Sequence, residues 1–127
     1  MSEQMAVRAA QAVMMAHIDA LNRRDDAAIA ATLHFPHLRL SGTKLKVWDD
    51  KTSYLADFLT RAGDGWARSE FADIEVVRAS QDKVHLDVEV RRFNADDRLL
   101  TRFRSLWVLT NEGGRWAAKM RSSFAAS

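Results

Sequence analysis

The stretch from Leu99 to Phe124 constrains this chain more than any other. Leu99–Leu109 and Arg115–Phe124 read as two long strands joined at Asn111-Glu112-Gly113-Gly114. Alternation at period two marks the strands of this region, and the glycines fall in the connection. Strands this long call for a strongly curved sheet with one face covered. The cover lies upstream. Residues Glu3 to Arg24 carry apolar or small groups at Met5, Ala9, Ala12 and Ala16, and again at Val13, Met14, His17, Ile18 and Leu21, the spacing of one helical face.

Between these ends the pattern changes several times. Asp25 or Asp26 caps a second, short helix through Ile29 and Leu33 that ends before Pro36, the single proline. Leu38 and Leu40 alternate with His37, Arg39 and Ser41, and Leu45 and Val47 with Lys44 and Lys46, which predicts two short strands about a Ser41-Gly42 turn. A third helix follows, capped at Asp49 or Asp50, with Tyr54, Leu55, Phe58 and Leu59 on one face and Gly63 as its stop. From Trp66 onward the period is two. Phe71, Ile74, Val76 and Val77 mark a third strand, and Val84, Leu86, Val88 and Val90 alternate with His85, Asp87, Glu89 and Arg91 in a fourth. Helices first and long antiparallel strands last predict an α+β fold, three N-terminal helices packed on a mostly antiparallel sheet. The apolar side chains Val77, Phe93, Leu106 and Val108 on the other sheet face predict a homodimer formed through it.

The 127 residues suffice for one domain, 1–127, with a core that needs no staples. Cysteine is absent, so disulfides, thiolate metal sites and a cysteine nucleophile are excluded. The 19 basic residues stand against 17 acidic ones. Arg91, Arg92, Arg102 and Arg104 share strands with Asp87 and Glu89, a pattern of cross-strand ion pairs rather than a nucleic-acid face. Glu3, Gln4, Arg8 and Gln11 interrupt any leader-like apolar run at the start, and no segment is long enough to cross a membrane, so the cytoplasm is the expected location.

His17-Ile18-Asp19-Ala20-Leu21-Asn22-Arg23-Arg24-Asp25 ahead of a short helix, and Gly113-Gly114-Arg115-Trp116 opening a last strand that ends Arg121-Ser122-Ser123-Phe124, carry a resemblance. The chain resembles the nuclear transport factor 2-like superfamily, the cone-shaped fold shared by ketosteroid isomerase, scytalone dehydratase and SnoaL-type polyketide cyclases. The resemblance implies a pocket inside the cone and leaves the chemistry open, because one such fold hosts isomerases, dehydratases, cyclases and binding proteins. Carried over by position, the isomerase's oxyanion-hole tyrosine falls at His17, its general base at Ser41 and its protonated strand acid near Leu106. A serine and a leucine cannot serve in those last two roles, which disfavours steroid-type proton shuttling.

His17, on the apolar face of the first helix, is the candidate pocket acid, base or donor. Trp48, Tyr54 and Phe58 straddle the start of the third helix and are candidates to line an apolar cavity, with core packing as the competing role. If Trp116 faces inward, strict alternation turns Ala118, Met120 and Ser122 inward too, and Ser122 joins the candidate ligand contacts. His34 and His37 flank Phe35-Pro36, which breaks helical ligand spacing, and no third ligand is evident, so no metal is expected. His85 alternates with strand valines and is expected on the outer face. Trp107 and Trp116 read as structural, and Ser105, Ser122 and Ser123 lack a His-Asp relay. The sequence thus predicts a small-molecule-binding domain with an apolar pocket for a small hydrophobic molecule and no cofactor. The alternatives are a cofactor-independent lyase or isomerase in which His17 moves a proton, and a protein-interaction module using the outer sheet face.

Overall fold

The computed structural model describes residues 2–62 and 65–125, leaving aside the side chains of residues 59–62. Helix α1 spans Glu3–Arg23. The Ser2 hydroxyl accepts from the Met5 amide at its start, and Arg24 closes it in the left-handed region at φ 55°. Its buried stripe is Ala6, Ala10, Met14 and Ile18, spaced by four, with His17 beside them. Met5, Ala12 and Ala16, expected on the same face, are exposed to solvent instead. Small side chains at Ala6 and Ala10 let the helix lie close to the strands, and burying Met14 contributes about 1.5–3 kcal/mol.

Helix α2 is shorter than its pattern suggests, Asp26–Ala31, and Leu33 already belongs to strand β1, Leu33–Ser41. Asp25 is its cap, accepting from the Ala28 amide at 3.1 Å. Hydrogen bonds from that amide and from Arg23 hold the Asp25 carboxyl below its ordinary range. The cap therefore stabilises the fold above the usual aspartate pKa and is lost as pH falls through the lowered folded-state value. Asp25→Ala is expected to lower the thermal midpoint at pH 7 and to flatten its decline below about pH 4, in a pH series of melts against wild type. An unchanged acid slope would show that the cap contributes nothing.

Strand β2, Lys44–Trp48, pairs with β1 across a turn at Gly42, and helix α3, Lys51–Ala62, starts at an Asp50 carboxylate that accepts from the Ser53 amide at 2.8 Å. The proposed stop at Gly63 lies outside the described residues, as does the side chain of Leu59. Strands β3, Arg68–Ala79, β4, Lys83–Phe93, β5, Leu99–Glu112, and β6, Arg115–Ser123, complete a six-stranded sheet in the order β2-β1-β6-β5-β4-β3. All neighbours are antiparallel except β1 and β6. The β5–β6 hairpin turns on Gly113 and Gly114, both at positive φ as a two-residue turn of this hand demands.

Two departures from strict alternation decide what faces inward. In β6, Leu109 pairs with Ala118 but Val108 pairs with Met120, so one extra residue bulges there. Parity then flips. Trp116 and Ala118 pack inward, but beyond the bulge the inward residues are Arg121 and Ser123, while Met120 is exposed and Ser122 lies on the outer side. In β4, Arg91 and Arg92 necessarily point to opposite faces. Arg91 meets Glu89 at 2.7 Å and Arg104 meets Asp87 at 2.9 Å as expected on the outside, whereas Arg92 turns inward over the Phe103 ring. His85 stays outside, paired with Val108.

Candidate functional site

Helix α1, helix α3 and the inner face of β1, β6, β5, β4 and β3 enclose a cavity. Its apolar part is built from Ile18, Leu21, Phe71, Val90 and Phe103. Its polar part holds His17, Tyr54, Ser105, Ser123 and three arginines, Arg39, Arg92 and Arg121, with no carboxylate among the described residues lining it.

His17 sits where α1 crosses the sheet. Thr32 donates its hydroxyl proton to the Ile29 carbonyl at 2.7 Å, so its oxygen accepts from His17, whose Nδ1 lies 2.7 Å away. Nδ1 is therefore the donor in this pair. The imidazole lies parallel to Phe71, 6.5 Å between centroids, and edge-on to Trp107 at 5.2 Å. The other face of the site rests on the same indole, with the Arg121 guanidinium 4.8 Å from its centroid. Arg121 is only 8% exposed and donates a long bond, 3.4 Å, to the Tyr54 hydroxyl. Near the α1 C-terminus, Asn22 exchanges hydrogen bonds of 2.8 Å with the Ser69 backbone, and the Trp66 indole donates to the Ser69 hydroxyl at 2.8 Å. These bonds fix the rim.

Of the residues singled out from sequence, His17, Tyr54 and Phe58 line the cavity. Trp48 does not. It lies behind Tyr54, ring centroids 5.1 Å apart, in a buried cluster with His37 and Phe35, and its indole donates to Asp57 at 3.3 Å. Ser122 is likewise excluded from the lining, because the β6 bulge hands its inward place to Arg121 and Ser123. Ser41, the position matching the isomerase base, is buried against the Ala125 carbonyl at 3.4 Å, and Leu106 faces outward. His34 Nε2 lies 3.0 and 3.1 Å from the Thr110 and Arg115 carbonyls and its Nδ1 3.0 Å from Arg115 Nη2, while His37 Nδ1 lies 3.0 Å from the Ala118 carbonyl. Among the described residues no three His, Cys, Asp or Glu side chains converge as a metal set, and no helix is long and apolar enough to cross a membrane.

No protein-family model matches the chain, and no curated protein matches it in sequence. Solved structures do. An NTF2-like protein of unknown function from Pseudomonas putida KT2440 superposes with a TM-score of 0.79 at 18% identity, over 99% of this chain and 90% of that one. An NTF-2 like protein of unknown function from Shewanella oneidensis MR-1 gives 0.76 at 15% identity, over 94% and 99% of the two chains. A ketosteroid isomerase-like protein from Erwinia carotovora atroseptica SCRI1043 gives 0.69 at 21% identity, over 94% and 95%. The chain has the nuclear transport factor 2-like fold, an α+β cone.

Proposed function

We propose that this single-domain protein binds a small molecule inside the cone. The observation that supports this most is the lining itself, where polar groups of the sheet and of two helices converge on one void walled elsewhere by apolar side chains. His17 and Tyr54 would supply polar contacts to the ligand. Native mass spectrometry of protein purified gently from its host, followed by denaturing analysis, tests the proposal. A discrete released compound of low mass is expected. Protein that carries none, and that binds no member of a fragment set of that size, would contradict it.

A second role draws support from His17 and Arg121 meeting on one indole. An imidazole and a guanidinium so placed suit proton removal beside a carbonyl, with Arg121 stabilising the developing oxyanion. His17→Gln is then expected to slow turnover of a found substrate by about 100-fold or more while leaving its affinity within a few-fold. Undiminished turnover would end the acid-base role and leave binding alone.

The outer sheet face supports a homodimer in the cytoplasm as the working form. Val47, Leu38, Met120 and Val108 make one cross-strand row there, and Leu45, Leu40, Ser122 and Leu106 the next, with Leu40, Leu45, Val47 and Met120 all exposed. Leu40→Glu combined with Met120→Glu is expected to convert dimer to monomer in light scattering at micromolar concentration. A wild-type monomer, or a dimer unmoved by both charges, would rule this face out as the interface.

A further inference from the structure

We infer that the pair of copies joined through the outer sheet face is opened by acid, with His85 on β4 as the switch. The inference rests on that face being the dimer interface and adds its regulation. The row Val47, Leu38, Met120 and Val108 does not end at Val108, because the register carries it on to His85 and then to Arg78 on β3. Four strands about 4.8 Å apart span only about 15 Å from first to last. A stable pair of copies buries about 800 Å² per partner, a patch about 28 Å across. Strand β2 is the edge of the sheet, so an interface built on these rows can widen across the strands only toward β4. The second copy therefore covers His85.

The surroundings of this imidazole oppose its protonation. Lys83 lies two residues before it on the same face of β4, Arg78 lies beside it on β3, and neither holds an ion pair among the described residues. The nearest carboxylates are Asp87, two residues further along β4 and held by Arg104 at 2.9 Å, and Glu75, opposite Asp87 on β3. From β5 and β6 the ring meets the uncharged Val108, Thr110 and Met120. His85 is half-buried and makes no hydrogen bond among the described residues. Burial first, and the charge of Lys83 after it, hold the ring below the ordinary histidine range. Covering by a second copy removes more water and acts in the same direction. The dimer thus takes the neutral ring. Its affinity is full above the free protomer's His85 pKa and is lost as pH falls through that value, by up to about a hundredfold per pH unit for the two rings of a pair.

Sedimentation velocity of the wild-type chain over a concentration series, at about pH 8 and about pH 5.5, reads the switch through the dissociation constant. Both values lie above the carboxylate range, so the side chains that titrate between them are the histidines. The constant is expected to rise about tenfold or more at the lower pH. His85→Gln, a neutral polar side chain of similar reach, is expected to give the same constant at both values, whereas His85→Arg is expected to weaken the pair even at the higher one. Equal wild-type association at both values would overturn the switch and leave the face an interface. A His85→Gln variant that keeps the wild-type pH dependence would overturn the assignment to His85. A wild-type monomer at the higher pH, or a dimer unmoved by Leu40→Glu with Met120→Glu, would overturn the interface and the switch together.

Discussion

Replacing Trp107 with alanine is expected to cost about 3–5 kcal/mol, the range for removing a large buried aromatic side chain. Trp107 is 3% exposed, belongs to the hydrophobic core, and is touched by His17, Phe71 and Arg121 at once. Its loss would open a void under the functional residues and leave the Arg121 guanidinium without the ring that shields it. Against a total stability of about 5–15 kcal/mol for a domain of this kind, that leaves little reserve. Trp107→Phe separates volume from polarity. The indole N–H has no hydrogen-bond partner among the described residues, so phenylalanine forfeits no polar contact and is expected to cost only about 1–2 kcal/mol. Urea unfolding of the three proteins measures both values. An alanine variant as stable as wild type, or a phenylalanine variant as damaged as alanine, would contradict this assignment of the core.

Tyr54→Ala is expected to cost about 3 kcal/mol and to act locally. Tyr54 is the buried anchor of α3, with its ring 5.1 Å from Trp48, 5.8 Å from His37 and 6.3 Å from Phe35. Among the α3 side chains described, Tyr54 alone is fully buried, with Leu55 and Phe58 half-buried beside it. Amide exchange in Lys51–Phe58 should then quicken well before that in α1 or β4, as expected of a unit that opens below the global free energy. The Arg121 contact would go with it. Tyr54→Phe keeps the ring packing and removes only the 3.4 Å bond, so exchange in α3 should stay close to wild type. Uniform acceleration across the whole chain in Tyr54→Ala would show that α3 is no separate unit.

The elements were legible in the sequence because each carried a local signal. The helical spacing of Met14, His17, Ile18 and Leu21, the Asp25 and Asp50 caps, the alternation Val84, Leu86, Val88 and Val90, and the Gly113-Gly114 hairpin all fold as their chemistry directs. The cavity wall was harder to read, for two physical reasons. Alternation assigns two faces to a strand without saying which is covered, and β1 reverses the usual choice, with Leu38 and Leu40 outside and His37, Arg39 and Ser41 inside. A one-residue bulge in β6 has no strong sequence signature there, yet it exchanges Ser122 for Arg121 and Ser123. His17 and Tyr54 reached the site because helical faces are set by spacing alone. Arg39 was visible as a polar residue between two leucines. What it lacked was the knowledge that its neighbour across the sheet is a second arginine, a fact of register that no single strand contains.

The cone as a ligand site is tested most directly by methyl-resolved NMR of the wild-type protein during titration with a set of low-mass single-ring fragments. The methyl groups of Ile18, Leu21 and Val90 line the cavity, and those of Leu40, Leu45 and Val47 lie exposed on the outer face. Saturable shifts confined to the first set are the expected result. Shifts confined to the outer set, or none in either with any fragment at millimolar concentration, would contradict it.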